Sequence, residues 1–312
     1  MMCSITTGRS WVFTATLILA AGRSAALSRA DEATAPASQP GTKYLLAYKF
    51  SPNDPLHYRV VQDSEMTVVY NQAKQIDRHH SETLRNLRIV SVDASGVAEV
   101  EIVIDHVYLK AQRGENAGDE FDSRDPDTRA AQYDKYKAIY DSIGQPQARL
   151  SLSPSGKVLK FTPFGSFKTS GSDTEPVKGI LNQFPEQPVA IGEKWSEEYD
   201  VDVTVEKGLK QKVTMIRKFR LVSVDQNVAK IELKTGVVTP LNDPSMQAQL
   251  IQRELTGIIE FDLQRGAILS RKHTVDKTVV NAFGDSSSLR AVSSYEEKLR
   301  PTKFAGSPSP KK

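Results

Sequence analysis

A single cysteine, Cys3, stands in this sequence of 312 residues, and it lies ahead of the first apolar run. Beyond it the chain has no thiol, which excludes a disulfide framework, a thiolate nucleophile and a Cys-ligated metal. Long apolar runs are missing as well. Trp11 to Ala21 spans 11 residues, about half of the ~20 that a membrane-crossing helix needs. Charge of one sign is also lacking: 41 Lys and Arg face 38 Asp and Glu. A grip on nucleic acid by net charge is thereby disfavoured. No G-x-S-x-G, P-loop or dinucleotide-binding glycine turn occurs, so the common nucleophile and phosphate motifs are absent. No catalytic residue, metal ligand or cofactor is expected.

What is present begins with a secretory pattern. Arg9, the apolar run and the small-x-small triplet Ser28-Arg29-Ala30 read as a signal over residues 1–30. Those residues hold Arg9, Arg23 and Arg29 and no acid. The remainder is therefore balanced, with 38 bases (41 − 3) against 38 acids. An exported chain, periplasmic or secreted, with no membrane anchor after cleavage is the expectation. Residues 31–42 and 301–312 are small, polar and Pro-rich, a flexible leader and tail; residues 165–178 read as a linker.

Across that linker the sequence repeats itself. Leu84 to Ile102 (LRNLRIVSVDASGVAEVEI) aligns with Ile216 to Leu233 (IRKFRLVSVDQNVAKIEL) once Gly96 is set aside as an insertion. Nine of 18 positions are identical, among them Arg85/Arg217, Arg88/Arg220, Val90/Val222, Val92/Val224 and Glu101/Glu232. Both copies read as two strands about a tight turn. Tyr58 upstream matches Trp195, and Leu152 to Gly156 resembles Leu263 to Gly266. The first repeat is expected over 43–164 and the second over 179–300.

Apolar and polar residues alternate almost throughout, as in Val201, Val203, Val205 and in Leu289, Ala291, Ser293, Tyr295. Period two puts one face on a core and the other in water. Candidate strands at 56–72, 74–93, 209–225 and 266–283 are long, and long strands twist and coil. The fold class expected is mainly β: two related curved antiparallel β-meanders, half-barrel or sandwich-like, with a helical insertion at 113–146 of the first copy. The acidic stretch 115–127 lacks calcium-loop spacing and reads as a solvated loop. Asp125-Pro126 then caps a helix over 127–143. Tyr133, Tyr136, Tyr140 and Ile143 make a stripe on one face. That stripe is either core packing or the wall of an apolar groove. Asp243-Pro244 opens a shorter counterpart. His79 and His80, adjacent on a strand, point to opposite faces and do not converge on a metal.

The repeated R-[LF]-R-[IL]-V-S-V-D segment, Pro188 to Trp195 (PVAIGEKW) and Glu260-Phe261-Asp262 resemble a family of secreted bacterial β-rich proteins with two β-meander repeats and no established activity. In outline the pattern is also similar to the half-barrel lipoprotein carriers of the bacterial envelope, an analogy of fold alone. The function expected is a non-enzymatic exported protein holding an apolar ligand, with Tyr133, Tyr136, Tyr140 and Ile143 at the ligand. A structural or protein-interaction module binding an envelope protein is the alternative, and a hydrolase without a motif comes third.

Overall fold

Period-two patterning over unusually long segments dictates the architecture. The computed structural model describes residues 41–116, 118–164, 180–205 and 208–300, without the side chains of 128–133. The expected signal, linker and tail fall outside the described residues. Strands take 61% and helices 9% of what is described. In chain order the strands are β1 (Lys43–Tyr44), β2 (Leu56–Tyr70), β3 (Ala73–Val92), β4 (Ala98–Arg113), β5 (Asp119–Asp122), β6 (Pro146–Leu152) and β7 (Val158–Pro163). Then follow β8 (Val189–Ala190), β9 (Lys194–Thr204), β10 (Lys210–Asp225), β11 (Val228–Val237), β12 (Thr256–Asp262), β13 (Ala267–Val280) and β14 (Ser287–Arg300). Helix α1 is Pro126–Ser142 and α2 is Pro244–Leu250, the latter followed by a 3-10 turn, Ile251–Arg253.

One antiparallel sheet runs β7-β6-β4-β3-β2-β14-β13-β12-β11-β10-β9. Its end strands do not meet, so it is curved and open rather than a closed barrel. The two copies lie side by side in it. β14 has no counterpart in the first copy and forms the seam, paired with β13 on one side and β2 on the other.

The repeat holds at the level of single hydrogen-bonded pairs. Leu87, Ile89, Ser91 and Val92 face Ile102, Val100, Glu99 and Ala98; Phe219, Leu221, Ser223 and Val224 face Leu233, Ile231, Lys230 and Ala229. Both ladders slip at the same place, so Val90 and Val222 are the extra residues of equivalent bulges. The identical arginine and glutamate make the same cross-strand ion pair, Arg88 with Glu101 and Arg220 with Glu232. The turns differ as their residues require. Gln226 and Asn227 take φ of 44° and 67° in a two-residue turn, while Gly96 takes 83° in the longer one.

Register corrects two of the alignments. Leu56 pairs with Leu87 and Trp195 with Phe219, so Trp195 is equivalent to Leu56, and Glu197 rather than Trp195 stands where Tyr58 does. Leu152 pairs with Val158 and Phe261 with Ile268, so Phe261, not Leu263, matches Leu152. Unequal hairpin lengths had hidden both: the hairpin of β2 and β3 is longer than that of β9 and β10, and the turn after Phe261 is one residue longer than that after Leu152. The acidic stretch is also more ordered than a solvated loop. Within it β5 pairs with β4, and Asp119, Glu120 and Asp122 contact Lys135, Lys110 and His106.

One end of the curved sheet is plugged. β1 pairs with β8, and the segment after β1 threads between the two equivalent glycine turns. Tyr48 N–H donates to Pro154 O (2.7 Å) and Lys49 N–H to Gly266 O (3.0 Å). Tyr48 stacks on Phe50 and Phe184, and Phe184 meets Phe261 and Trp195 edge-on. These rings join the leucines, valines and isoleucines of both copies in one core. Its burial is the main stabilising term, at about 25 cal/mol for each Å² of apolar surface removed from water.

Candidate functional site

Within the core, the concave face of the sheet carries a band of charge. Leu87 and Ile89 point inward, and period two places Arg85 on their face. Arg85 pairs across the ladder with Tyr58 and holds its guanidinium over that ring, 5.9 Å from the centroid. Arg271 on β13 lies opposite Glu297 on β14. Both Arg85 and Arg271 are ion-paired to Glu297. The Arg271 Nε donates to Glu297 Oε2 at 2.8 Å, and its Nη1 reaches Asn182 Oδ1 at 3.1 Å. Tyr295 donates to Glu297 Oε2 at 3.2 Å. Arg271 and Glu297 are each only 1% exposed.

Burial pushes the Glu297 carboxyl up, but Arg271 and Arg85 outweigh it and hold the group below the usual carboxylate range. Burial raises the phenols of Tyr58 and Tyr295. Among the described residues, two guanidiniums share the one carboxylate of this cluster.

His273, two residues along β13, stacks on Tyr295 at 5.2 Å and 15°. Burial first, and then Arg271 and Arg217, drive its imidazole well below the ordinary histidine value, so it is neutral near pH 7. Neither ring nitrogen has a hydrogen-bond partner among the described residues, and the same is true of Ser293 Oγ, Arg85 Nε and His79 Nδ1.

The ladder between β2 and β14 keeps equal lengths between its paired ends, Ser287 with Tyr70 and Leu299 with Tyr58. Between those ends, among the described residues, no residue pair joins the two strands in the ladder. Towards the unplugged end, the inward face of β2 and β3 carries Gln62 with Ser81 and then Ser64 with His79. Beyond this polar waist come Met66 and Val68, half-buried against the main core.

A helix packs on the concave side in each copy. Phe121 of β5 pairs with Leu109, which pairs with Ser81, so it shares the inward face. Tyr136 lies 4.3 Å and Tyr140 5.0 Å from the Phe121 ring. Of the expected stripe, these two residues converge. Ile143 caps the helix one residue past its end and bridges to Ile104; the Tyr133 side chain lies outside the described residues. In the second copy Met246 and Leu250 of α2 pack on Tyr199, Val201, Val203, Val213 and Met215. Gln252, just after α2, contacts Met66 Sδ at 2.9 Å. The waist lies between the two helices.

The histidines behave as strand geometry requires. His80 pairs with Asp63 on the outer face, 2.5 Å away, while His79 takes the inner face. The Arg–Glu–Arg cluster was missed by sequence reasoning, although a signal existed. Arg85 and Arg217, identical in the repeat, are both in phase with inward apolar residues. Arg217 too lies over a ring, 4.3 Å from the centroid of Tyr199.

No helix among the described residues is long and apolar enough to cross a membrane. No curated protein matches the chain. Among solved structures, lipovitellin, described under lipid–protein interactions, overlaps at a TM-score of 0.43 and 12% identity, covering 83% of this chain and 26% of its own. The chain thus spans about a quarter of that protein's length. DynF of the dynemicin biosynthesis pathway of Micromonospora chersina follows at 0.21 and 7% identity, with 92% and 98% covered. A putative outer membrane lipoprotein-sorting protein domain from Vibrio parahaemolyticus gives 0.16 and 9%, with 79% and 87% covered. None of these superpositions is close enough to transfer a site. A family of unknown function (DUF6263) matches residues 174–268, which run through the second copy from β8 into β13.

Proposed function

We propose that this is an exported, non-enzymatic binding protein for an amphiphile with an acidic head and an apolar tail. The head sits at the polar waist, and the tail lies along Met66 and Val68 towards the unplugged end. The observation that carries this reading is the coincidence of two features on β3, β13 and β14. Among the described residues, five buried polar atoms on Arg85, His79, His273 and Ser293 lack partners, on the same strands that carry the two guanidiniums and one carboxylate of the cluster. Buried polar atoms are paired in the great majority of cases. Water satisfies isolated examples. Water brings no charge, whereas an acidic head supplies acceptors together with a negative charge for a site that carries two guanidiniums. Tyr136 and Tyr140 with Phe121 on one side, and α2 on the other, give the tail apolar walls.

Native mass spectrometry of the full chain mixed with palmitic acid tests the proposal. A one-to-one adduct is expected. Met66→Glu sets a carboxylate in the tail's path and should remove the adduct while leaving the circular dichroism unchanged. Absence of any adduct on the wild-type protein refutes the reading.

A further inference from the structure

On the convex face of the second copy, a shallow depression of about 680 Å³ is bordered by Lys194, Lys218, Arg220, Lys234 and Lys272, with Glu232 as the acid among its lining residues. Arg220 is paired to Glu232 and Lys272 to Glu296. Lys194, Lys218 and Lys234 make no ion pair among the described residues, and Lys218 faces Lys234 directly across the ladder. Like charges in opposite positions of a sheet repel and are destabilising. Five cations against one acid in the lining, two of the five being ion-paired, leave the patch a positive excess. Thr256 of β12 pairs with Lys234 on one side and Thr274 of β13 on the other, so the two threonines add hydroxyls to the same row.

We infer that this depression binds a linear anionic polysaccharide lying across the strands. The cations do not converge on one point, as a small anion would need. They are spread from β9 to β13, four strand spacings or about 19 Å, which suits a chain with acidic groups at intervals. A membrane surface fits less well. Docking there relies on apolar side chains that enter the lipid, and none of the large exposed apolar residues, such as Val280, Phe283 and Leu209, borders the depression. Nucleic acid fits less well too, because its lining has no exposed aromatic ring for stacking on bases. This site is on the face opposite the concave one and does not depend on what the latter binds.

Calorimetric titration of the full chain with a size-defined heparin oligosaccharide at low salt tests the inference, alongside the double variant K218Q/K234Q. The wild-type protein should bind saturably and more weakly as salt rises, and the variant should bind about tenfold more weakly. Removing a like-charge pair should leave the urea unfolding midpoint unchanged or raised, so weaker binding will not reflect unfolding. The inference fails if the oligosaccharide does not bind or if the variant binds equally well. It also fails if a single-stranded oligonucleotide or an anionic phospholipid vesicle binds more tightly than heparin.

Discussion

Glu297 touches two arginines and almost no water, and its removal strands both guanidiniums in the core. Breaking such a buried pair costs about 3–5 kcal/mol. Glu297→Ala should lose that much in equilibrium urea unfolding, whereas Glu232→Ala, at the half-exposed pair with Arg220, should lose less than ~1 kcal/mol. Acid sensitivity follows in two windows. The folded-state value of Glu297 is depressed, so its contribution is complete above the unfolded carboxylate value of about 4.3 and is lost as pH falls below it. His273 is also depressed in the folded state. The unfolded chain therefore takes up the proton first, and stability declines as pH falls below about 6.5. His79, lowered by burial and then by His80, acts in the same direction. In His273→Leu the fall in unfolding free energy between roughly pH 6.5 and 5 should shrink to the smaller part owed to His79. An unchanged slope would show that His273 is not the buried neutral group described. These residues were hard to read from sequence because charge in a strand is normally a sign of the solvent face. Arg271 and Glu297 interrupt that rule, and only their pairing across a ladder, invisible in one dimension, makes their burial tolerable.

At the scale of elements, the repeat is what the sequence disclosed best. Nine shared residues encode a hairpin, its bulge and its cross-strand ion pair, all local features set by neighbours within twenty positions. Placement of the equivalent turns is not local. Gly156 (φ 81°) and Gly266 (φ 66°) press on the segment after β1, where an added Cβ would stand 2.6 Å from Tyr48 Cε2 and 2.5 Å from Lys49 N respectively. Gly266→Ala should therefore cost about 2–4 kcal/mol, from backbone strain and overpacking together. Limited proteolysis should then cut near residue 49 faster than in the wild-type protein. The tyrosine stripe was legible as a face of α1, but its support was not. Phe121 lies on a strand hidden inside an acidic stretch, and Tyr136 and Tyr140 pack on that ring.

For the whole molecule, β14 decides whether two repeats make one body. It supplies Glu297 and Tyr295, pairs with both copies, and is the last of the described strands. The sheet should accordingly unfold in one transition, with strand circular dichroism and Trp195 fluorescence coincident in urea. Separate midpoints would mean that the copies are independent domains. Sequence alone left half-barrel and sandwich open, because curvature depends on how the strand ladders at the seam line up.

The account's central claim is that the concave face selects an acidic head and an apolar tail together. A dansyl-labelled undecanoic acid and its methyl ester share the tail and differ in the head. Fluorescence titration of the full chain should show the acid binding at least about tenfold more tightly, the ~1.4 kcal/mol of one good charge-assisted hydrogen bond. The preference should vanish in Arg85→Met. Equal affinity for acid and ester in the wild-type protein, or no saturable binding of either, would contradict it.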